Sequence, residues 1–307
     1  MRPDIKILIL ILGPTGVGKS AVGFHLAKKF NGEIINCDSM QVYRGFDIGT
    51  DKPPAAMRAE IPHHLLDIAE PSSLFTAADF VARAIEASRG IIEREKLPFI
   101  IGGTGLYFKA LVGGLFPGPS RDVALRRELE KEAQEKGLGY LREKLAEVDP
   151  GYLLRISRND RRKIIRALEV YALTGKPLSQ HFLGTRPFLE DFHPVKIGLQ
   201  CERVVLYRKI EERVDRMFQS GLVDEVRALL ARAVDEKAPP FLALGYKHVL
   251  AFIKGSLTLE EAVVLTKRDT RHYAKRQMTW FRKMEGIRWF GPEELGAMSD
   301  VIAAELS

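Results

Sequence analysis

Near its start the chain carries an apolar run, Ile5 to Leu12 with Lys6 its one polar residue, too short to cross a membrane and long enough for a strand buried on both faces. It runs straight into Gly13-Pro14-Thr15-Gly16-Val17-Gly18-Lys19-Ser20. Helical spacing follows from Ala21 to Phe30 and stops at Asn31-Gly32. Gly32 to Cys37 reads as a second short strand closed by Asp38-Ser39, and a polar stretch through Pro62 reads as loop with one short helix. Helical periodicity returns over Ser73 to Glu95, and Pro98 to Ile101 forms a third apolar strand that opens into Gly102-Gly103-Thr104-Gly105. Strands alternating with helices predict a parallel sheet, whose ligands gather at the carboxyl ends of strands. That rule places the glycine-rich loop, Asp38 and Thr104 on one rim.

The pattern changes at Pro117 to Pro119. Ser120 to Gly184 is helical throughout and heavily charged, Val195 to Gln200 reads as a returning strand, and Gly286 to Phe290 as a last short one. The predicted fold is α/β: a P-loop NTPase-like parallel sheet core, residues 1–116 and 195–307, interrupted by an all-helical domain at 117–194.

The chemistry begins with the loop. Glycines let backbone N–H groups converge on phosphate oxygens, and the helix that follows adds the positive end of its dipole. Gly13, Thr15, Gly16, Val17 and Gly18 supply that cradle, Lys19 a point charge, and Ser20 a hydroxyl able to hold Mg²⁺. The loop calls for a polyphosphate or a diphosphate and leaves the choice open. Phosphate-hydrolysing relatives of such loops carry a carboxylate at a strand end to help hold the metal. Here the strand Phe99-Ile100-Ile101 ends in Gly102-Gly103-Thr104, and the available carboxylate is Asp38. A carboxylate repels phosphate, so Asp38 is better used to accept a proton from a nucleophile or to touch the metal. An Asp-Ser pair is also a common turn cap.

The 307 residues are 46% hydrophobic, and a net charge of +7 with a pI near 9.3 points weakly to a polyanionic partner. Cys37 and Cys201 are too few for a disulfide framework or a zinc site, which suits a reducing cytosol. The glycine-rich loop stands where a leader's cleavage site would fall, so a cytoplasmic protein with no membrane association is expected. Two basic blocks stand out: Arg155, Arg158, Arg161, Arg162, Lys163 and Arg166 in the helical stretch, and Lys267, Arg268, Arg271, Lys275, Arg276, Arg282 and Lys283 near Tyr273, Trp280 and Phe281. Cations interleaved with aromatics suit RNA backbone and stacked bases, although a solvated helix face has the same look. Arg121 to Lys144 balances its charges and reads as plain surface.

The stretch Asp38-Ser39-Met40-Gln41-Val42-Tyr43-Arg44-Gly45-Phe46-Asp47-Ile48-Gly49-Thr50-Asp51-Lys52-Pro53 is more specific. With the opening loop, His63-His64-Leu65-Leu66-Asp67, Gly102-Gly103-Thr104-Gly105-Leu106-Tyr107 and Arg166-Ala167-Leu168-Glu169, it closely resembles the bacterial tRNA dimethylallyltransferases across nearly the whole chain. Phe46 stands where the family commonly has Met and Asp51 where it commonly has Ala, and neither is expected to bear on the chemistry.

The resemblance implies transfer of a dimethylallyl group from dimethylallyl diphosphate to N6 of adenine 37, in tRNAs that read codons beginning with U. Mg²⁺ would be the cofactor, the tRNA anticodon stem-loop the partner, and the protein a monomer. Asp38, Thr104 and Arg213 would be the catalytic residues, with Arg213 meeting the diphosphate opposite the loop. A plain helix pairing of Arg213 with Glu211 or Glu212 is the alternative. For tRNA the resemblance implies Asp38, Ser39, Met40, Gln41, Thr104, Arg127, Arg162, Lys163, Ile164, Ile165 and Arg166, with Gln41 reading or replacing neighbouring bases. An adenylate isopentenyltransferase acting on free nucleotide, a kinase using ATP at the loop, and a non-enzymatic RNA-binding protein are the competing readings. The helical insertion and the basic blocks favour tRNA.

Overall fold

A computed structural model describes residues 6–116, 118–119, 121–184 and 187–307. Ile5, Pro117 and Ser120, which bound the predicted strand and helical stretch, lie outside them. The chain divides into two compact units, Met1–Ala110 with Leu189–Ser307, and Leu111–Phe188. The helical unit thus starts and ends earlier than 117–194, because the strand that returns the chain to the sheet begins at Phe192.

In chain order the first unit runs β1 (Lys6–Leu12), α1 (Lys19–Lys29), β2 (Gly32–Cys37), α2 (Ala55–Glu60), β3 (His63–His64), α3 (Ala77–Glu93) and β4 (Leu97–Gly102), and the boundary falls within α4 (Gly105–Gly113). The second unit holds α5 (Val123–Glu135), α6 (Gly137–Val148), α7 (Pro150–Leu153), α8 (Arg161–Thr174) and α9 (Leu178–Leu183). The first unit resumes with β5 (Phe192–Leu199), α10 (Arg203–Gln219), α11 (Leu222–Ala231), α12 (Tyr246–Ile253), α13 (Leu259–Phe281), β6 (Ile287–Phe290) and α14 (Leu295–Leu306). Two residues of β3 pair with Ile34 and Ile35, a strand too short to show in the hydrophobic pattern.

The six strands found among the described residues are all parallel, in the order β3-β2-β4-β1-β5-β6. β1, the most apolar, takes a central place, where Leu8 to Leu12 are fully buried. β4 separates it from β2, so the chain crosses over between its first two strands. The register then does the positioning. Leu12 pairs with Gly102, and Gly102 with Cys37, so the three strands end on one line. With strands roughly 4.8 Å apart, Gly13, Gly103 and Asp38 leave the sheet side by side within roughly 10 Å.

A second apolar cluster, with Val42, Phe46, Leu222, Phe241 and Tyr246, underlies the polar stretch after β2. It explains why a segment that reads as loop is nevertheless ordered. Phe46 is buried against the rings of Phe241 and Tyr246, at 5.1 and 4.9 Å.

The second unit packs α5, α6, α8 and α9 around Leu141, Leu145, Ile164, Ile165 and Leu168. Within it lies Glu169, fully buried. Its carboxylate takes a two-pronged pair from Arg126 at 2.9 and 2.8 Å, a third bond from Arg166 Nη1 at 2.6 Å, and the Asp122 N–H at 2.8 Å. Burial opposes its ionisation, but the two guanidiniums and the amide outweigh that and hold the carboxyl below its ordinary value. A folded-state value that is depressed contributes stability above the unfolded value near 4.5, lost as pH falls through the lower folded one. Glu169→Ala, which strands two arginines, should cost about 3–5 kcal/mol in urea unfolding of the full chain. The deficit against wild type should shrink in acid, below the unfolded glutamate value.

Candidate active site

The glycine loop rises from β1 and closes onto the start of α1. Gly16 adopts φ 82° and sits so near α10 that a β-carbon there would lie 2.8 Å from Ile210 Cγ1, so no other residue fits. Val17 is buried beneath the loop, while Ser20 is exposed in the first turn of α1. Lys19 is the first residue of that helix, and its ammonium donates to the Pro14 carbonyl at 2.8 Å. Burial, and then the positive charge of Arg213, lower Lys19 from an ordinary 10.5 to about 8, while Asp38, Cys37 and Asp51 pull the other way.

Asp38 begins a tight turn at the end of β2. One carboxylate oxygen, Oδ1, accepts the Met40 N–H at 2.8 Å and the Gln41 N–H at 3.4 Å. The capping role and a chemical role therefore use different oxygens, since Oδ2 makes no hydrogen bond among the described residues. Beside it, burial and the Asp38 charge push the Cys37 thiol well above its ordinary value, so it stays protonated and inert. The β4 and β2 ends are laced together: Thr104 N–H donates to the Cys37 carbonyl at 3.3 Å, and Ser39 N–H donates to Thr104 Oγ1 at 3.1 Å. That leaves the Thr104 hydroxyl hydrogen free to donate. The Tyr107 and Tyr273 hydroxyls are pushed up chiefly by burial and then by neighbouring charge, that of Asp38 included, so both remain donors.

Arg213 reaches the loop from α10. Its Nη1 donates to Thr15 Oγ1 at 2.6 Å, and its Nε is buried without a hydrogen bond, 3.3 Å from Asp51 Oδ2. Helix pairing with Glu211 or Glu212 is not what it does: Glu211 pairs with Arg271, and Glu212 lies near Arg208. Asp51, expected to stand apart from the chemistry, touches Arg213 and enters the field of Lys19.

One central residue does not stand out in the sequence. Gln277 of α13, 6% exposed, accepts the Thr15 N–H at 2.8 Å and donates to the Gly103 carbonyl at 2.7 Å. It pins the phosphate loop to the loop that carries Thr104. A β-carbon at Gly103 would fall 2.4 Å from Gln277 Nε2, which is why the residue that follows β4 is glycine. The spacing does carry a signal. The buried stripe of α13 runs Ala262, Thr266, Thr270, Ala274, Gln277, Phe281, and a glutamine in a core stripe needs partners.

The residues expected to meet RNA divide. Gln41 has its amide nitrogen committed, donating to the carbonyls of Thr50 at 2.9 Å and Asp51 at 3.1 Å, so only its oxygen is open to a base. Ser39 and Met40 are half-buried on the same turn. In the helical unit Arg127, Arg162 and Lys163 are exposed. Ile164 and Ile165, by contrast, are core residues with 0 and 2% exposure, and cannot offer side chains to RNA. Arg166 is bound to Glu169 and to the Pro119 carbonyl, so its first task is structural. Arg161 pairs with Glu130 and Lys163 with Asp160. In the second basic block Lys267, Arg268 and Arg271 are engaged by Asp215, Asp269 and Glu211. Phe281 is buried against Phe108, whereas Trp280 is 43% exposed. Among the described residues, Arg155, Arg158 and Arg162 of the first block, and Lys275, Arg276, Arg282 and Lys283 of the second, make no ion pair.

No cluster of three or more His, Cys, Asp or Glu able to hold a metal occurs among the described residues. No helix among them is long and apolar enough to cross a membrane.

Residues 41–284 match the family model described as IPP transferase. A tRNA dimethylallyltransferase of Geobacter sulfurreducens is 48% identical over 282 residues, 92% of this chain and 91% of that one. The crystal structure of the tRNA isopentenylpyrophosphate transferase of Bacillus halodurans is 41% identical, with a TM-score of 0.72 over 98% of this chain and 97% of that one. A eukaryotic dimethylallyltransferase acting on tRNA, also solved by crystallography, is 30% identical with a TM-score of 0.81, covering 98% of this chain and 77% of the other. With sequence, fold and site geometry in agreement, the chain belongs to the IPP transferase family.

Proposed function

We propose that this protein transfers a dimethylallyl group from dimethylallyl diphosphate to N6 of adenine 37 in tRNAs that read codons beginning with U. One observation carries the reading: a phosphate loop, a carboxylate and a neutral hydroxyl leave β1, β2 and β4 on the same register line. The names of the relatives favour prenyl transfer to tRNA over a kinase and over a free-nucleotide transferase.

The chemistry follows from what each group can do. N6 of the adenine forms a bond to C1 of the dimethylallyl group as the C1–O bond breaks and diphosphate departs. The free Oδ2 of Asp38 takes the proton that N6 loses. Lys19, the loop amides and Arg213 stabilise the charge that builds on the leaving diphosphate, and the Thr104 hydroxyl donates to it. The buried, unbonded Nε of Arg213 is the orphaned donor such an anion would satisfy. Mg²⁺ fits as a partner of Ser20 and of the diphosphate oxygens, since this metal is commonly held by few protein groups together with substrate phosphates. When bound it would neutralise leaving-group charge. The adenine must leave its stack to reach Asp38, a cost of a few kcal/mol that contacts to the flanking nucleotides offset. Each unit carries its own exposed cations for the backbone: Arg127, Arg162 and Lys163 in one, Lys275, Arg276 and Lys283 in the other.

Mass spectrometry of an unmodified anticodon fragment, after incubation with the protein, Mg²⁺ and dimethylallyl diphosphate, tests the reaction directly. A gain of one dimethylallyl group on adenine 37 is expected; prenylated AMP with untouched tRNA would refute the substrate. In the same assay Asp38→Asn, which keeps the turn's acceptor oxygen, should lower kcat by about 10²- to 10⁴-fold and leave tRNA affinity within about threefold. A normal kcat would remove Asp38 from the proton transfer.

Lys19 makes the donor pH-dependent. Its ammonium must be charged to hold diphosphate, so the KM for the donor should rise as pH climbs through about 8. Lys19→Ala should start from a higher KM and lose that limb, and an identical profile in both proteins would deny Lys19 its role. Charge reversal at Arg127 and Arg162 should raise the KM for tRNA and reduce the salt slope by about one for each phosphate no longer neutralised. Ile164→Ala, in the core, should lower stability by about 2–5 kcal/mol instead.

A further inference from the structure

Asp51 is held in place from several sides. Glu225 of α11 accepts the Asp47 and Ile48 N–H groups at 3.1 and 2.8 Å, and the Tyr246 hydroxyl of α12 accepts the Gly49 N–H at 3.1 Å. Lys52, whose side chain is 2% exposed, donates to the Tyr43 carbonyl at 2.9 Å and pairs with Asp47 and Asp67. Gln41 grips the carbonyl of Asp51 itself, and the Asp51 N–H donates to the Ile48 carbonyl at 3.1 Å. This loop, with Asp51 at φ 56°, is preorganised, and it aims one carboxylate at Arg213.

The contact it makes there is of an unusual kind. Asp51 Oδ2 lies 3.3 Å from Arg213 Nε, yet the angle is too poor for a hydrogen bond, and Nε is left buried and unbonded. The Asp51 side chain is 59% exposed, so water weakens the attraction further. A loosely paired arginine beside a phosphate loop is easily taken by any anion that offers Nε an aligned oxygen.

We propose that Asp51 is an internal counter-ion for Arg213, displaced when the donor's diphosphate binds, which holds donor affinity in check and promotes release of product diphosphate. The inference rests on the reading that the loop binds a diphosphate. The prenyl ester has one diphosphate oxygen capped by carbon, whereas the released diphosphate is free to ionise there. Cleavage of the C1–O bond leaves its electron pair on that oxygen, so the departing product carries one more negative charge than the donor, and the repulsion from Asp51 acts more strongly on it. Asp51 is thus a positioning residue that acts through Arg213, and its carbonyl also ties the same loop to Gln41 on the side where the base is expected.

Calorimetric titration of the full chain with inorganic diphosphate and Mg²⁺ tests this. Asp51→Asn retains the left-handed backbone, which asparagine tolerates, and removes the charge. It should bind diphosphate about fivefold more tightly than wild type, the size of one partly exposed charge pair, with a smaller gain for dimethylallyl diphosphate. Asp51→Gly, which also accepts the positive φ, should show the same gain, and adding Arg213→Met should abolish it. Unchanged or weaker binding in both Asp51 variants would overturn the proposal, as would a gain that survives Arg213→Met. Should Lys19→Ala bind diphosphate as well as wild type does, the loop reading itself fails, whatever the Asp51 variants show.

Discussion

The register between β2, β4 and β1 is the constraint on which the site depends. Parallel strands carry no freedom to slide by one residue, because a slip would turn every buried side chain of β1 and β4 toward the wrong layer. With Leu12, Gly102 and Cys37 locked in line, the three segments that follow must emerge together. The site is therefore the end of a hydrophobic lattice, and its precision comes from the packing of residues that never meet a substrate.

That lattice would still leave three independent loops above it. Two helices from the far end of the chain remove their freedom. Gln277 joins the Thr15 amide to the Gly103 carbonyl, and Arg213 holds the Thr15 hydroxyl, so Thr15 is fixed on both sides by groups 262 and 198 residues away. One consequence is that the Thr15 amide is already spent. The loop meets an anion with its other amides, Lys19 and the free edge of Arg213.

The electrostatics of the protein divide along the same lines. Many cations that look like an RNA surface in the sequence are neutralised by nearby carboxylates, and Arg166 and Arg126 serve a buried glutamate. Among the described residues, what stays unpaired is narrower: a few exposed arginines on the helical unit and the cations near Trp280. Around the phosphate loop the balance runs the other way. Lys19 and Arg213 crowd one another, and Asp38 and Asp51 offset them from opposite neighbours in the chain.

Much of this protein is legible from residue order alone. The apolar run, the glycine loop and the strand-helix alternation depend on local spacing, and local spacing dictates secondary structure and the carboxyl-end rule for ligands. Asp38 and Thr104 stand out that way because each lies within two residues of a strand end, and Lys19 because it closes the glycine loop. The two-residue β3 does not, since two residues carry no period. Ile164 and Ile165 sit inside a basic block and share its look in the sequence, while the helix turns them inward. Spacing puts Gln277 in a buried helix stripe, but its partners, like the contact of Asp51 with Arg213, become visible only once distant segments meet, because nothing in local spacing names a partner 262 residues away. The sequence by itself determined which elements form and which chemistry they can carry. The tertiary structure decided which charges are spent on one another and which stay free, because pairing depends on distances of a few ångströms that only the folded packing sets.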